Sequence, residues 1–262
     1  IVCVCITPSV LSINSIMMIT QNFSYKIFYA LGVAGLILLG GTDLSVGRMV
    51  TLGTLITCMS LNPDTTVSFF GIRLADMYST LGVAGTAIIA LILSILMCTL
   101  FSAVAGFFSA KFKIHPFIST LATSLTIWGL CAVGTNTIKT GGISTDASKI
   151  GGFVGSSGTG TSYFVGFPIT IIYAVVIIAI VSLIWNKTKF GKYLYAVGGN
   201  PEAASVSGIS VFWVTMGAFI MAGVLYGMGG FVTGLIGGSS DSAYGQGWEM
   251  EAIAACVVGG IS

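Results

Sequence analysis

The sequence predicts an all-α, polytopic transmembrane helical bundle, and three observations carry that prediction. Only 7% of the 262 residues are Asp, Glu, Lys or Arg, against 55% hydrophobic, where soluble domains carry about 25% charged residues. Mean hydropathy is +1.01. The apolar runs at 81–108 and 169–185 are long and unalternated, as helices are, whereas a membrane barrel reads as roughly ten-residue alternating segments. So little charge cannot cover a water-facing surface, and the solvent is therefore the bilayer. A net charge of +2, with no basic block interleaved with aromatics, gives no footing for nucleic acid.

Reading apolar runs against polar breaks gives the elements in order, within one transmembrane domain at 1–262. Residues 1–11 are the remnant of a first span and 12–24 a polar connector. A short glycine-rich stretch follows at 27–41, then Thr42-Asp43-Leu44-Ser45-Val46-Gly47-Arg48, then a third stretch at 49–61. Both stretches are short of the roughly 20 residues a span needs. They are therefore candidates for a broken helix with Asp43 at membrane depth, tolerated only against protein or a water-filled cavity. A loop occupies 62–80, a long span 81–108, a basic turn 111–116 and a span 117–133. After the Gly/Ser/Thr-rich loop 134–166 come a span at 169–185, a polar connector at 186–210, a span at 211–236 and a polar segment at 237–250. The opening without Met on an apolar run, and the eleven apolar residues at 252–262, lead to the expectation that both ends are cut.

Lys and Arg in short loops set orientation. Strict alternation places Arg48, Lys111, Lys113, Lys187, Lys189 and Lys192 on one side, in dense short clusters. Lys26, Arg73, Lys139 and Lys149 fall on the other, in longer loops. The first side is expected to be cytoplasmic.

Four features carry chemistry. Gly223 and Gly227 are four apart, as are Gly230, Gly234 and Gly238, a spacing that lets a neighbouring backbone approach closely. In 186–210, Asn200 is a suitable N-cap, Pro201 suits the first helical position, and Glu202 favours the positive end of the helix dipole. Ala203 and Ala204 propagate that helix and Gly208 ends it. The result is a cytoplasmic helix of about seven residues, too short to stand alone, which must dock on its own bundle or on a partner. Asp43, Glu249 and Glu251 are near-membrane carboxylates, functional candidates by default. Alternatively, Asp43 caps the following helix or pairs with Arg48, and the two glutamates favour a helix N-terminus. Weak internal symmetry links Gly40-Gly41-Thr42-Asp43 with Gly259-Gly260-Ile261-Ser262, both following apolar runs. The phosphate-cradling pattern Gly-x4-Gly-Lys-Ser/Thr is absent. The single histidine, His115, reads as interfacial, and the six cysteines as small buried residues without zinc-site spacing.

Three segments resemble the membrane permeases of bacterial sugar ABC importers of the ribose/galactose type. They are Gly40-Gly41-Thr42-Asp43-Leu44-Ser45-Val46-Gly47, then Ala196-Val197-Gly198-Gly199-Asn200-Pro201-Glu202-Ala203-Ala204 through Ser207-Gly208-Ile209, and Glu249-Met250-Glu251-Ala252 through Gly260. A weaker match lies at His115-Pro116-Phe117-Ile118. The Asn-Pro-Glu and Ala-Cys-Val-Val-Gly-Gly runs look most like the galactose/methyl-galactoside members. Glu251 stands where such permeases commonly carry Asp, and Trp248 where Tyr is usual.

The resemblance implies a permease subunit in a bacterial inner membrane that moves a monosaccharide into the cytoplasm. It implies that 186–210 is the segment coupled to cytoplasmic ATP-binding subunits, through Gly198, Gly199, Asn200, Pro201, Glu202, Ala203, Ala204, Ser207 and Gly208. Gly40, Gly41, Asp43, Ser45, Gly47, Glu249 and Glu251 are implied as the motif residues near the membrane. It further implies an extracytoplasmic sugar-binding protein, a second permease copy and the lipid bilayer as partners. No cofactor is expected on this chain, ATP and Mg belonging to the partner ATPase. The alternative is a secondary carrier or channel for small polar solutes, which calls for ionisable groups in mid-span. The runs 81–108, 169–185 and 211–236 hold no Asp, Glu, Lys, Arg or His. A membrane-embedded enzyme would need a nucleophile–base or metal set that one histidine does not supply.

Overall fold

The computed structural model describes residues 12–61, 68–69, 72–137, 143–144, 156–157, 160–161, 163–164 and 167–261. Among them the architecture is helical: α1 (Ile13–Ile37), α2 (Val46–Ser60), α3 (Leu74–Phe112), α4 (Pro116–Thr137), α5 (Ile169–Lys187), α6 (Lys189–Gly199), α7 (Pro201–Val206), α8 (Val211–Gly237) and α9 (Trp248–Val258). Four stretches are long and apolar enough to cross a membrane: Ala84–Phe112, Pro116–Thr135, Thr170–Lys187 and Val211–Gly237. The expected first span at 1–11 lies outside the described residues.

The helix α1 corrects the connector expected at 12–24. Its polar residues do not break the helix because their side chains bond back along it. The Thr20 hydroxyl donates to the Ile16 carbonyl at 2.6 Å, the Asn22 amide to Met18 at 2.9 Å, and the Ser24 hydroxyl to Thr20 at 2.7 Å. Ser12 caps the start by accepting from the Ser15 N–H. Internally bonded hydroxyls cost a helix little, so apolar Ile16, Met18 and Ile19 keep it going. In α3, the helix kinks at Gly82, where φ is 68°.

The bundle is built around α8. In the apolar window of α8, 72% of residues are buried, against 22–28% for the other three spans, so α8 is the core helix and the rest present broad apolar faces outward. Its glycines explain how it fits. A Cβ on Gly223 or Gly227 would meet the α3 backbone at Thr99 and Ile95. One on Gly230 would lie 2.9 Å from Gly53 Cα of α2, and Gly234 abuts Thr57. Gly229 lies against Phe28 and Tyr29 of α1. The glycines of the expected spacing thus admit α3 and α2 at backbone range, and Gly229 makes room for the aromatic side chains of α1. Between them, Ser94 donates to the Gly227 carbonyl at 2.8 Å, and Tyr29 bonds both Thr233 and the Gly229 carbonyl.

One end of the bundle gathers the C-terminus of α1, the turn between α3 and α4, and the 188–210 segment: Gly41 abuts Pro116, and Gly198 abuts the Leu38 carbonyl. This end carries Lys111, Lys113, Lys187, Lys189 and Lys192, five of the six basic residues that the alternation placed on one side. At the other end, Ile143–Ser144 pairs antiparallel with Ser239–Ser240. Two basic residues depart from the alternation. Lys26 sits inside α1, and Arg48 in the first turn of α2, within the bundle.

Candidate functional site

Two segments interrupt the helices inside the bundle. After α1 the chain reaches the lysine-rich end of the bundle and turns at Gly40, whose φ of 77° suits glycine. It then re-enters through Thr42–Ser45 before α2 begins. Tyr226, near the middle of α8, donates its phenol to Asp43 Oδ2 at 2.9 Å. Asp43 therefore lies inside the helix bundle, fully buried. Its Oδ1 accepts from the Ser45 N–H at 2.7 Å and the Ser45 hydroxyl at 2.6 Å, an Asx turn that leads into α2. Three donors offset the cost of burying the carboxylate. Asp43 takes neither structural role open in the sequence: it does not pair with Arg48, and the N-cap of α2 is Ser45, with no side-chain capping bond.

The second interruption follows α8. Gly238 ends it in the left-handed region, and the chain runs back along α2. Ser240 meets Thr54 at 2.9 Å, and the Gly245 N–H donates to the Thr51 hydroxyl at 3.0 Å. Gly245 packs directly on Gly47, and α9 starts at Trp248. The N-termini of α2 and α9 thus come together in the bundle interior, with Glu249 Oε2 2.5 Å from where a Cβ on Gly47 would be. Of the expected motif residues, Gly47 and Glu249 meet here. Glu251 is directed elsewhere, to an ion pair with Lys26 at 2.5 Å, and Lys26 also lies over the Trp248 ring.

Tyr226, Lys26 and Arg48 were not singled out in the sequence for these roles. Tyr226 carried a signal: a phenol in the middle of a glycine-rich apolar helix needs a partner when buried. The Arg48 side chain sits over the Trp128 ring of α4 at 5.7 Å and donates to the Ser242 carbonyl at 3.0 Å, which replaces the expected place in a cytoplasmic cluster.

The segment at 186–210 has two helices where one was expected. Thr188 caps α6, accepting from the Gly191 N–H and donating to the Ile184 carbonyl. Gly191, Leu194 and Val197 form its buried stripe. Asn200 then ends α6 and starts α7, its Oδ1 accepting from the Glu202 and Ala203 N–H groups at 3.0 Å each. Pro201 fills the first position. At the far end the Ile209 N–H bonds the Ala204 carbonyl and the Gly208 N–H that of Ser205, both at 3.0 Å, with Gly208 at φ 83°, the paired closure of a Schellman motif. The capping read from the sequence is present in full. Only Ala204 of α7 is buried, and Val206 is 91% exposed. A cavity of about 1020 Å³ separates α7 from the bundle, lined among others by Leu39, Gly40, His115, Asn200, Glu202 and Phe219. His115 is exposed, as expected, its Nδ1 accepting from the Phe117 N–H. Cys58, Cys98, Cys131 and Cys256 are free and buried; Cys3 and Cys5 lie outside the described residues. Among the described residues no group of His, Cys, Asp and Glu could hold a metal ion.

The motif at 196–209 packs on the end of α1, just ahead of the motif at 40–47. Gly198 packs so closely on the Leu38 carbonyl that a Cβ has no room, and Leu38 leads directly into Gly40-Gly41-Thr42-Asp43.

Residues 15–262 match the family described as branched-chain amino acid transport system / permease component. The chain is 47% identical to the galactose/methyl galactoside import permease protein MglC of Treponema pallidum, over all of this chain and 50% of that protein. It is 35% identical to the MglC of Salmonella typhimurium, covering 97% of this chain and 73% of the relative. Against the ribose import permease protein RbsC of Haemophilus influenzae identity is 30%, covering 98% and 72%. The chain thus spans about half the length of the Treponema relative and under three quarters of the other two. No solved structure matches. The resemblance to sugar permeases read from the motifs is borne out.

Proposed function

We propose, since the chain belongs to the family of branched-chain amino acid transport system permease components, that it serves as the inner-membrane permease of an ATP-driven importer. Its cargo is a monosaccharide, galactose or methyl galactoside, or a ribose-like sugar. The relatives' names support the cargo. Two copies flank a central path, cytoplasmic ATPase subunits dock on α7, and a sugar-binding protein delivers the cargo from outside. ATP and Mg act in the partner, and the permease itself neither holds nucleotide nor performs chemistry.

One observation carries this reading. A doubly capped helix, α7, docks on the bundle through Ala204 alone and turns Val206 outward, while its neighbour α6 presses through Gly198 on the end of α1. A helix that is rigid at both ends and buried only at Ala204 suits a contact that receives force from another subunit. The 1020 Å³ cavity behind it leaves room for it to move.

The test is sugar uptake into vesicles holding the full-length permease with its ATPase and binding-protein partners. Uptake should require ATP, and Glu202→Lys should leave the fold intact while separating ATP hydrolysis from uptake. Uptake without ATP, or normal transport by Glu202→Lys, refutes the assignment. The buried carboxylate of Asp43 inside the bundle favours a second reading, a proton-coupled carrier. It predicts uptake driven by a proton gradient alone.

A further inference from the structure

The geometry points to a monosaccharide-binding surface on the path itself, formed by Trp128 and Arg48 with Asp241 and Gln246 of the returning segment. This inference rests on the importer reading above and names where in the permease the sugar makes contact.

Two independent observations converge on this face. The first is Arg48. It lies two residues from Val46, where α2 begins deep in the bundle, and its neighbour Met49 accepts from Cys98 in the middle of α3. At that depth a guanidinium is expensive in hydrocarbon and faces protein or water. Yet Arg48 is only half-buried, and Trp128, whose ring it overlies, is 46% exposed. Among the described residues Arg48 has no carboxylate partner, the one ion pair being Lys26–Glu251, and of its five N–H donors the bond to Ser242 employs one nitrogen. The second observation is the backbone beside it. Residues 238–247 are not helical, run alongside α2 from Thr54 to Gly47, and expose Asp241 and Gln246. Irregular backbone at membrane depth is tolerated only in protein or beside water. Since this face carries an incompletely bonded cation and exposed polar groups, it borders a wet path and not lipid.

The chemistry fits a neutral sugar. A pyranose has an apolar C–H face and a rim of hydroxyls. The flat indole of Trp128 offers a partner for the face. The spare guanidinium donors, the Gln246 amide and the Asp241 carboxylate offer donors and acceptors for the rim. Asp241 precedes Ser242, whose carbonyl Arg48 bonds, and its negative charge leaves the surface with no strong preference for an anion. It is open on one side, so each copy supplies half of a site that its symmetry mate completes.

The test uses the full importer in vesicles. Trp128→Cys should label with a cationic, membrane-impermeant methanethiosulfonate above the unsubstituted protein, and galactose delivered by the binding protein should reduce that labelling severalfold. Val176→Cys, on the exposed apolar face of α5, should stay unlabelled. Arg48→Gln should lower uptake about tenfold or more, the scale of a lost charged-group hydrogen bond, with ATPase assembly unchanged. Inert Trp128→Cys, labelling that sugar leaves untouched, protection by a sugar phosphate but not by galactose, or full uptake by Arg48→Gln each overturns the inference. Wild-type vesicles that fail to take up sugar with ATP overturn the importer reading instead.

Discussion

Gly198 and Gly199 are adjacent in α6 and should respond oppositely to the same substitution. A Cβ on Gly198 collides with the Leu38 carbonyl, a backbone atom held by the end of α1, whereas a Cβ on Gly199 meets nothing within 4 Å. Replacing either glycine by alanine gains up to about 1 kcal/mol of helix propensity. At Gly199 that gain stands alone. At Gly198 it is opposed by overpacking, about 1–3 kcal/mol, at the upper part of that range because a backbone carbonyl cannot rotate away as a side chain does. The net expectation is a loss of about 1–2 kcal/mol for Gly198→Ala and a neutral or slightly stabilising Gly199→Ala. For a chain of this size 1 kcal/mol moves Tm by about 2–4 °C, so thermal unfolding of the purified permease separates the two. In vesicles, Gly198→Ala should also lower uptake per ATP hydrolysed, because it displaces α6 from the end of α1, just ahead of the Asp43 turn. If Gly198→Ala matched Gly199→Ala in both assays, the close packing of α6 on α1 would be wrong.

Tyr226→Phe deletes the hydrogen bond to Asp43 Oδ2 and should destabilise by about 1.5–3 kcal/mol, read in thermal unfolding; an unchanged Tm would contradict the burial of Asp43. Asn200→Ala removes both acceptor bonds at the start of α7, with an expected cost of about 1 kcal/mol, and hydrogen exchange at 202–207 should quicken while exchange in α8 does not. Gly230→Val, aimed at the Gly53 backbone, should abolish stable assembly, seen as loss of a monodisperse peak on gel filtration. A double-mutant cycle on Lys26 and Glu251, whose side chains are 40% and 54% exposed, should return a coupling of about 0.2–1 kcal/mol; a larger value would place that pair in a drier setting.

The spans were legible because hydropathy is read over whole turns, and the glycine faces of α8 because a four-residue spacing states which atoms can approach. The caps of α7 were legible for the same reason: Asn200, Pro201 and Gly208 act on backbone groups one to three residues away. What local pattern could not show was where the chain goes after a break. Thr20, Asn22 and Ser24 look like a connector until their hydroxyls and amide are seen bonded to the helix's own carbonyls. The cluster Thr42–Arg48 reads as the break in a broken helix, but its partner, Tyr226, is too far along the chain for local pattern to name. Arg48 was placed by alternation, which assumes every apolar stretch crosses; α2 starts inside, and the rule then fails by half a membrane. The helix α6 was hidden because its buried stripe, Gly191, Leu194 and Val197, is narrow and begins with a residue that scores as a breaker.

The burial of α8 on three sides by α1, α2 and α3 has a consequence for biogenesis. The ribosome makes α3 first and completes α8 roughly 125 residues later, about 6–25 s at ordinary elongation rates. Throughout that interval the earlier helices are in the bilayer without the one element that fits between them. Lipid or the insertion machinery must occupy the vacancy, and it must leave when α8 arrives. A small side chain at Gly223, Gly227 or Gly230 is therefore a condition of entry as well as of packing: a bulkier helix would find its place already taken by chains that have begun to close on each other.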